Sequence, residues 1–366
     1  MTLSGPLSAD LRPADVIIVR EPLRPRFRLP RQNRSLITAV TLALILWIAT
    51  GIPITPVRPW LPAHLWQISL YLMFGAFGLL IVRLARRFAR GRKIGGRHAH
   101  ALIARHVGLR AIARMLHFVL PFAIVMTVHT SIKQAIPLIN PLNWDASLIS
   151  LERAVHLGAN PAWDLARSDS PLWLTQFLDA CYFWWFPSIP LVAAYFLTHR
   201  HRTRREHYAA AFTALWVVGI LIGLSFPSHG PCYVDRASFP APGMDAARMI
   251  QRWLWEHYVS LQAITLPGDG GLQFGCGLMA LPSMHIAVVS LYVLFLWKEG
   301  GWYRWGSLAY AALVFVGSLY SGWHYAVDGY VGLGIAALCL YMTRPTNAQP
   351  RSRRPHRSVC TSALVS

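Results

Sequence analysis

Tyr208-Ala-Ala-Ala-Phe-Thr-Ala-Leu-Trp-Val-Val-Gly-Ile-Leu-Ile-Gly-Leu-Ser-Phe226 contains no charged residue and no polar–apolar alternation. A continuous apolar run of about 20 residues is the length a helix needs to cross about 30 Å of hydrocarbon. A barrel strand would alternate instead, and only helices and closed barrels satisfy their backbone groups inside lipid. The same texture recurs along the chain, at residues 36–54, 63–84, 111–137, 172–197, 282–297, 305–321 and 324–342. The runs at 282–297 and 305–321 are short for a crossing. The pattern predicts an all-α, polytopic membrane helix bundle with about eight transmembrane helices.

Composition supports that reading. Hydrophobic residues make up 54% of the 366 residues and charged ones 14%, against roughly 25% charged in soluble chains. So few charges cannot cover a water-soluble surface. A largely disordered chain and a small disulfide-rich scaffold are excluded by the same figures.

A net charge of +20 suggests a nucleic-acid binder until the charges are placed. Of the 35 Lys and Arg, 27 fall in the arm, the loops and the tail on one side of the predicted bundle, and six fall on the other. By the positive-inside rule both termini face the cytoplasm. The basic excess is then a topology signal, with contact to anionic lipid as a further use, and nucleic-acid binding loses its support. The first apolar run follows an arginine-rich stretch and reads as a signal anchor, not as a cleaved leader. The expected organisation is a basic arm at 1–35, two helices and a basic loop at 36–110, a catalytic membrane domain at 111–343, and a basic tail at 344–366.

Two sizeable segments, 138–171 and 227–281, face the opposite side. In the first, residues 144–157 read as an amphipathic helix with Leu148, Leu151 and Val155 on one face, suited to lying flat at the interface. The second is rich in Pro and Gly at both ends.

Ionisable residues inside a membrane are costly, and each is a functional candidate. The densest set lies at the outer ends of the last three runs. Leu281-Pro282-Ser283-Met284-His285 opens the sixth. A proline in the first helical turn followed by Ser283 offers an outward-facing helix N-terminus, which suits a phosphate. In Tyr320-Ser321-Gly322-Trp323-His324-Tyr325-Ala326-Val327-Asp328, His324 and Asp328 are four apart. On a helix they share a face. Asp328 can then orient His324 and leave its second ring nitrogen free to attack, or the two are simply a buried packing pair. The topology brings His285, His324 and Asp328 to the same outer depth, which favours chemistry. Two histidines and an aspartate could also hold a metal, but the Pro-Ser turn suits an anion better.

These residues resemble the two histidine motifs of the type 2 phosphatidic acid phosphatase superfamily. Its phosphatases show Pro-Ser-Gly-His, then Ser-Arg, five residues, His, three residues and Asp. Here Met284 stands in the glycine position and Gly317-Ser318 where Ser-Arg is expected, and the phosphatases' Lys and Arg-Pro motif has no match. The departures are similar to the inositol phosphorylceramide synthase branch, which favours Pro-Ser-x-His, His-Tyr-x-x-Asp and an earlier Pro-rich turn like Phe226-Pro227-Ser228-His229-Gly230-Pro231-Cys232-Tyr233. The resemblance covers roughly 110–343 and implies a six-helix catalytic core.

It implies His324 as nucleophile forming a phosphohistidine, Asp328 as its orienter, and His285 as the acid and then the base. Ser283 would help hold the phosphoryl oxygens, and neither cofactor nor metal is expected. With the usual Arg absent, another cation must meet the phosphoryl charge. Lys133, one turn after His129 in the third run, is the first candidate, although a lysine there also snorkels. Arg236 and His229 come next, and Tyr320 flanks the site at headgroup level. Asp179, in the fourth run, either binds an acceptor hydroxyl, pairs with Lys133 or makes a helix-packing bond. Cys232 and Cys276 share the outer segment and are candidates for a bridge.

The expected activity is transfer of a phospho-headgroup from a membrane phospholipid to a lipid or polyol alcohol. The alternatives are hydrolysis of a lipid phosphate or pyrophosphate by the same site, and a non-enzymatic scaffold or transporter. The expected location is a bacterial inner membrane with the site on the periplasmic face.

Overall fold

The computed structural model describes residues 31–51, 60–91, 96–262 and 276–345. The described residues form helices and connecting turns with no strand. Most of the expected basic arm and nearly all of the basic tail lie outside the described residues.

The elements are α1 (Arg31–Thr50), α2 (Trp60–Ala89), α3 (Gly96–His106), α4 (Leu109–Ile139), α5 (Asp145–Val155), α6 (Pro161–Ala166), α7 (Leu172–Phe183), α8 (Trp185–Leu197), α9 (Arg202–Ser225), α10 (Pro231–Val234), α11 (Asp245–Gln262), α12 (Met284–Leu296), α13 (Gly301–Tyr320) and α14 (Ala326–Met342). Each apolar run holds one helix except the fourth, which holds two. There α7 and α8 meet at a 43° bend. Pro187 stands four residues beyond Phe183 and has no N–H to give its carbonyl, so the helix breaks where that bond would form.

Among the described residues, four stretches are long and apolar enough to cross a bilayer: Gln32–Thr50, Leu61–Ala89, Ala99–Ile139 and Arg202–Ser225. Counting α7 with α8 as one bent span makes five, so length and composition do not confirm the expected eight. At 13 residues α12 rises about 20 Å at 1.5 Å per residue, short of the hydrocarbon thickness. It is buried among its neighbours, with Ala287, Val288, Val289 and Leu291 fully covered.

The chain is a membrane protein, and its surface shows it. Ile45 and Ile48 of α1, Phe74 and Phe77 of α2 and Leu333 of α14 are all more than half exposed, a density of outward apolar groups that lipid covers and water does not. Inside, Phe122, Phe196, Tyr208 and Phe212 stack where α4, α8 and α9 meet.

At the opposite end of the bundle from the α2 C-terminus, α5, α6, α10 and α11 form a layer over the N-termini of α12 and α14. The inward face of α5 carries Asp145, Leu148 and Glu152. Of the expected apolar face, Leu148 turns inward instead, while Leu151 and Val155 are about half exposed. The helix is two-sided in the other sense: its outer apolar residues suit the bilayer interface, and its carboxylates turn into the protein.

Candidate active site

His324 does not sit on a helix. It lies in the turn between α13 and α14, one residue before the N-cap Tyr325. Its Nδ1 is 2.9 Å from the carbonyl oxygen of Ala280 and 3.6 Å from Asp328 Oδ2. A carbonyl only accepts, so Nδ1 carries the hydrogen and the lone pair is left on Nε2. Asp328 is fully buried. Its Oδ2 accepts the Tyr325 N–H at 2.9 Å, closing the first turn of α14, while Oδ1 is buried without a hydrogen-bond partner. The nearest acceptor for His324 is therefore a backbone carbonyl, with the carboxylate just beyond hydrogen-bond reach.

Ala280 is held in turn by the Pro-rich segment. Its N–H donates to the Ser228 carbonyl at 2.9 Å, and the Leu281 N–H donates to Ser228 Oγ at 3.0 Å. The Cys232 N–H donates to the Gly322 carbonyl at 2.9 Å. Gly230, at φ 104°, lies against the Trp323 carbonyl, where a Cβ would collide with it. The turn thus stitches residues 280–281 to residues 322–323, the two strips of backbone that flank the histidine.

The α12 helix starts at Met284, so Pro282 precedes it and Ser283 is its N-cap. Ser283 Oγ accepts the Ile286 N–H at 3.3 Å, and the Ser283 N–H donates to the Asp328 carbonyl at 3.1 Å. Gly332 lets α14 lie directly on the Ser283 carbonyl. Ser283 is fully buried in this helix start. His285 stacks between Tyr182 and Trp185, at ring-centroid distances of 4.6 and 4.3 Å. Its ring centre is 5.7 Å from that of His324.

Both histidines open into a cavity of about 410 Å³. Its walls are mainly apolar and aromatic. Lys133 is the one lysine or arginine among its described lining residues, and His129 and His229 line it too. The His129 Nδ1 lies 3.1 Å from the Trp216 carbonyl, which fixes that ring on the α4 face shared with Lys133. His229 Nδ1 lies 3.1 Å from Asn143 Nδ2 and 3.3 Å from Asp145 Oδ2.

Other candidates stand apart. The Arg236 guanidinium lies over the Trp255 ring at 3.9 Å and does not reach the cavity wall. The Tyr320 hydroxyl shares a hydrogen bond with Ser170 Oγ in the α6–α7 connection, at 2.7 Å. Asp179 accepts the Ala246 and Ala247 N–H groups at 3.0 and 3.3 Å, and so caps α11. Cys232 and Cys276 are buried free thiols, and burial pushes the Cys276 thiol up to about 11. Among the described residues no group of three or more His, Cys, Asp or Glu is arranged to hold a metal ion.

Two carboxylates that sequence reasoning passed over hold the site together. Asp145 accepts the His229 and Gly230 N–H groups, at 3.0 Å each, and the Tyr325 hydroxyl, also at 3.0 Å. Glu152 accepts the Ala326 and Val327 N–H groups at 2.9 and 3.1 Å, taking the first free amides of α14. Burial pushes the Asp145 carboxyl up, but the His229 ring and the two amides outweigh it and hold the group below its ordinary value. For Glu152 burial wins over its two amides, and the carboxyl stands above its ordinary value. The available signal was their seven-residue spacing, which puts two acids on one helical face.

A sequence model of the PAP2 superfamily matches residues 146–342. The match takes in His229, Ser283, His285, His324 and Asp328, and stops short of Lys133 and Asp145. No curated protein and no solved structure matches the chain.

Proposed function

The chain belongs to the PAP2 superfamily, which makes it a membrane enzyme of lipid phosphatase or phosphotransferase type, and from that premise we propose that it moves a phospho-headgroup from a phospholipid to an alcohol through His324. The observation that carries the reading is the His324 ring, tied at Nδ1 to the Ala280 carbonyl, with Nε2 left to attack and His285 beside it.

Nε2 of His324 attacks phosphorus, and the P–O bond to the diacylglycerol breaks. His285 gives its proton to the departing oxygen. The acceptor hydroxyl then loses its proton to His285 and attacks the phosphohistidine, restoring His324. Asp328, 3.6 Å from Nδ1, offsets the positive charge that the ring gains on phosphorylation. Lys133 faces the phosphoryl oxygens across the cavity and supplies the cation that the motif lacks. Ser283 acts through the helix start it caps, since its side chain is buried there and is not among the described residues lining the cavity. His229 lines the approach. Arg236 and Tyr320 support the surrounding layer.

Transfer is favoured over hydrolysis by the departures at Met284, Gly317 and Ser318, which resemble the inositol phosphorylceramide synthase branch, and by cavity walls that suit acyl chains more than water. The cytoplasmic placement of both termini and a periplasmic site rest on the arginine distribution.

The test is a headgroup-labelled phospholipid in proteoliposomes, with and without lipid or polyol alcohols, and with His324→Ala as the blank. Label passing into a new lipid, and an acid-labile label on the intact protein that is absent from His324→Ala, are the expected results. Soluble labelled phosphate released without any acceptor would make the enzyme a phosphatase. Equal turnover by the blank would remove His324 from the mechanism.

A further inference from the structure

A second charged assembly lies at the far end of the bundle. α4 carries Arg114 near its start and Lys133 near its end, nineteen residues apart, or roughly 28 Å along a straight helix. Around Arg114 five elements converge: the end of α2, the end of α3, the start of α4, the α8–α9 turn and the start of α9. Arg105 Nε donates to the Thr198 carbonyl at 3.3 Å, and Arg114 Nη2 to the Arg105 carbonyl at 3.4 Å. Arg205 Nη1 donates to the His199 and Arg200 carbonyls at 2.8 and 3.2 Å. Arg83 and Arg200 lie close enough to Arg105 to repel it, as Arg205 does to Arg114.

None of Arg83, Arg105, Arg114, Arg200 and Arg205 makes an ion pair among the described residues; the nearby Glu299 is taken by Arg204 at 2.9 Å. Arg83, Arg105, Arg114 and Arg205 are half-buried, and Arg114 Nε is buried without a partner. Topology alone does not account for this. Positive charges that orient a chain need only be exposed in its loops, whereas like charges drawn together and half-desolvated repel one another unless an anion joins them.

The depth of the assembly says which anion. Trp297, just past the end of α12, is 40% exposed, and Trp302 and Trp305 in the first turns of α13 are 59 and 62% exposed; Arg86 lies over the Trp302 ring at 4.7 Å while bonding the Tyr303 hydroxyl at 2.8 Å. Exposed tryptophans of this kind mark the headgroup level of a bilayer. An arginine cluster between helix ends at that level fits a phospholipid headgroup.

We propose that Arg83, Arg105, Arg114, Arg200 and Arg205 form a binding site for the headgroup of an anionic phospholipid, in the leaflet opposite the histidine pair. The site is separate from the reaction and holds the lipid as a structural ligand. Its test does not depend on the catalytic reading.

The full-length protein is placed in nanodiscs of phosphatidylcholine alone or with added phosphatidylglycerol, and its thermal midpoint is measured. A bound ligand raises the midpoint by mass action, here by about 2 °C or more. The rise is expected to shrink in Arg105→Gln/Arg114→Gln and to persist in Arg202→Gln, whose guanidinium is exposed and paired with Glu206. Inorganic phosphate added to the phosphatidylcholine discs is expected to leave the midpoint unchanged. Equal midpoints for the wild-type protein in the two kinds of disc would overturn the proposal, whatever the variants do. So would phosphate alone reproducing the rise, which would assign the cluster to a free anion.

Discussion

In the proposed mechanism a phosphoryl group on His324 would bring negative charge into a largely apolar cavity, and Lys133, the one lysine or arginine among the described lining residues, would meet it. Removing a single preorganised charge donor typically costs 100- to 1,000-fold in kcat. Lys133→Met should therefore lower kcat about 100-fold or more, with Lys133→Arg recovering part of the loss. An unchanged kcat in Lys133→Met, in the proteoliposome assay, would move the stabilising role elsewhere. His285, His324, Asp328 and Lys133 were legible because an ionisable residue in an apolar run stands out against its neighbours. Two things at this scale were not. The acceptor of the His324 ring is the carbonyl of Ala280, 44 residues away, and no side chain announces a carbonyl. Ser283, expected to help hold phosphate, is buried at its own helix start and is not among the described residues lining the cavity.

At the scale of elements, α5 acts as a clasp. Glu152 holds the first amides of α14, and Asp145 holds the Pro-rich turn and Tyr325. Glu152→Ala leaves two buried amides without an acceptor, a loss of about 2 kcal/mol or more, so its thermal midpoint should fall. Glu152→Gln keeps one accepting oxygen and should fall less. Equal midpoints for all three proteins would mean that water or a neighbouring group replaces the clasp. Asp145 has a pH signature. Its folded carboxyl stands below the ordinary 3.8, so its contribution to stability is complete above that value and is lost as the pH falls through the lower folded value. Asp145→Asn should lose that acid-side dependence, as thermal unfolding across an acidic series would show; an acid limb identical to the wild type would rule the contribution out. The clasp was hard to read because an amphipathic helix at the interface accounts for α5 without it, and the amides that Asp145 and Glu152 meet lie far along the chain, at residues 229–230 and 326–327. Helix positions were legible from apolar length alone, but the bend between α7 and α8 falls just before Pro187, which does not interrupt the apolar run that contains it.

For the molecule as a whole, the matched segment 146–342 does not enclose its own cavity. Thr130 and Lys133 of α4 and His64 and Tyr71 of α2 complete the wall, and all of them precede residue 146. The two N-terminal helices are also bonded to the rest. Gln32 Nε2 donates to the Phe118 carbonyl at 3.1 Å, and His64 Nδ1 lies 3.0 Å from Thr127 Oγ1; both side chains are buried. Helices that served only as anchors would face lipid on all sides and could be removed without touching the chemistry. Of the two, α2 forms one side of the cavity into which both histidines open, and α1 is held against α4 through Gln32. A chain starting at residue 96 should therefore keep both histidine motifs and lose activity, because the cavity would open sideways to lipid and Lys133 would lose the wall that keeps its charge effective. Co-expression of residues 1–95 as a separate polypeptide should restore turnover, since apolar helices reassociate in a bilayer through the same packing surfaces. The comparison to make is kcat/KM for the truncated chain, the reassembled pair and the intact protein in one lipid mixture. A truncated chain as active as the intact protein would reduce α1 and α2 to anchors and place the whole of substrate recognition within α3 to α14.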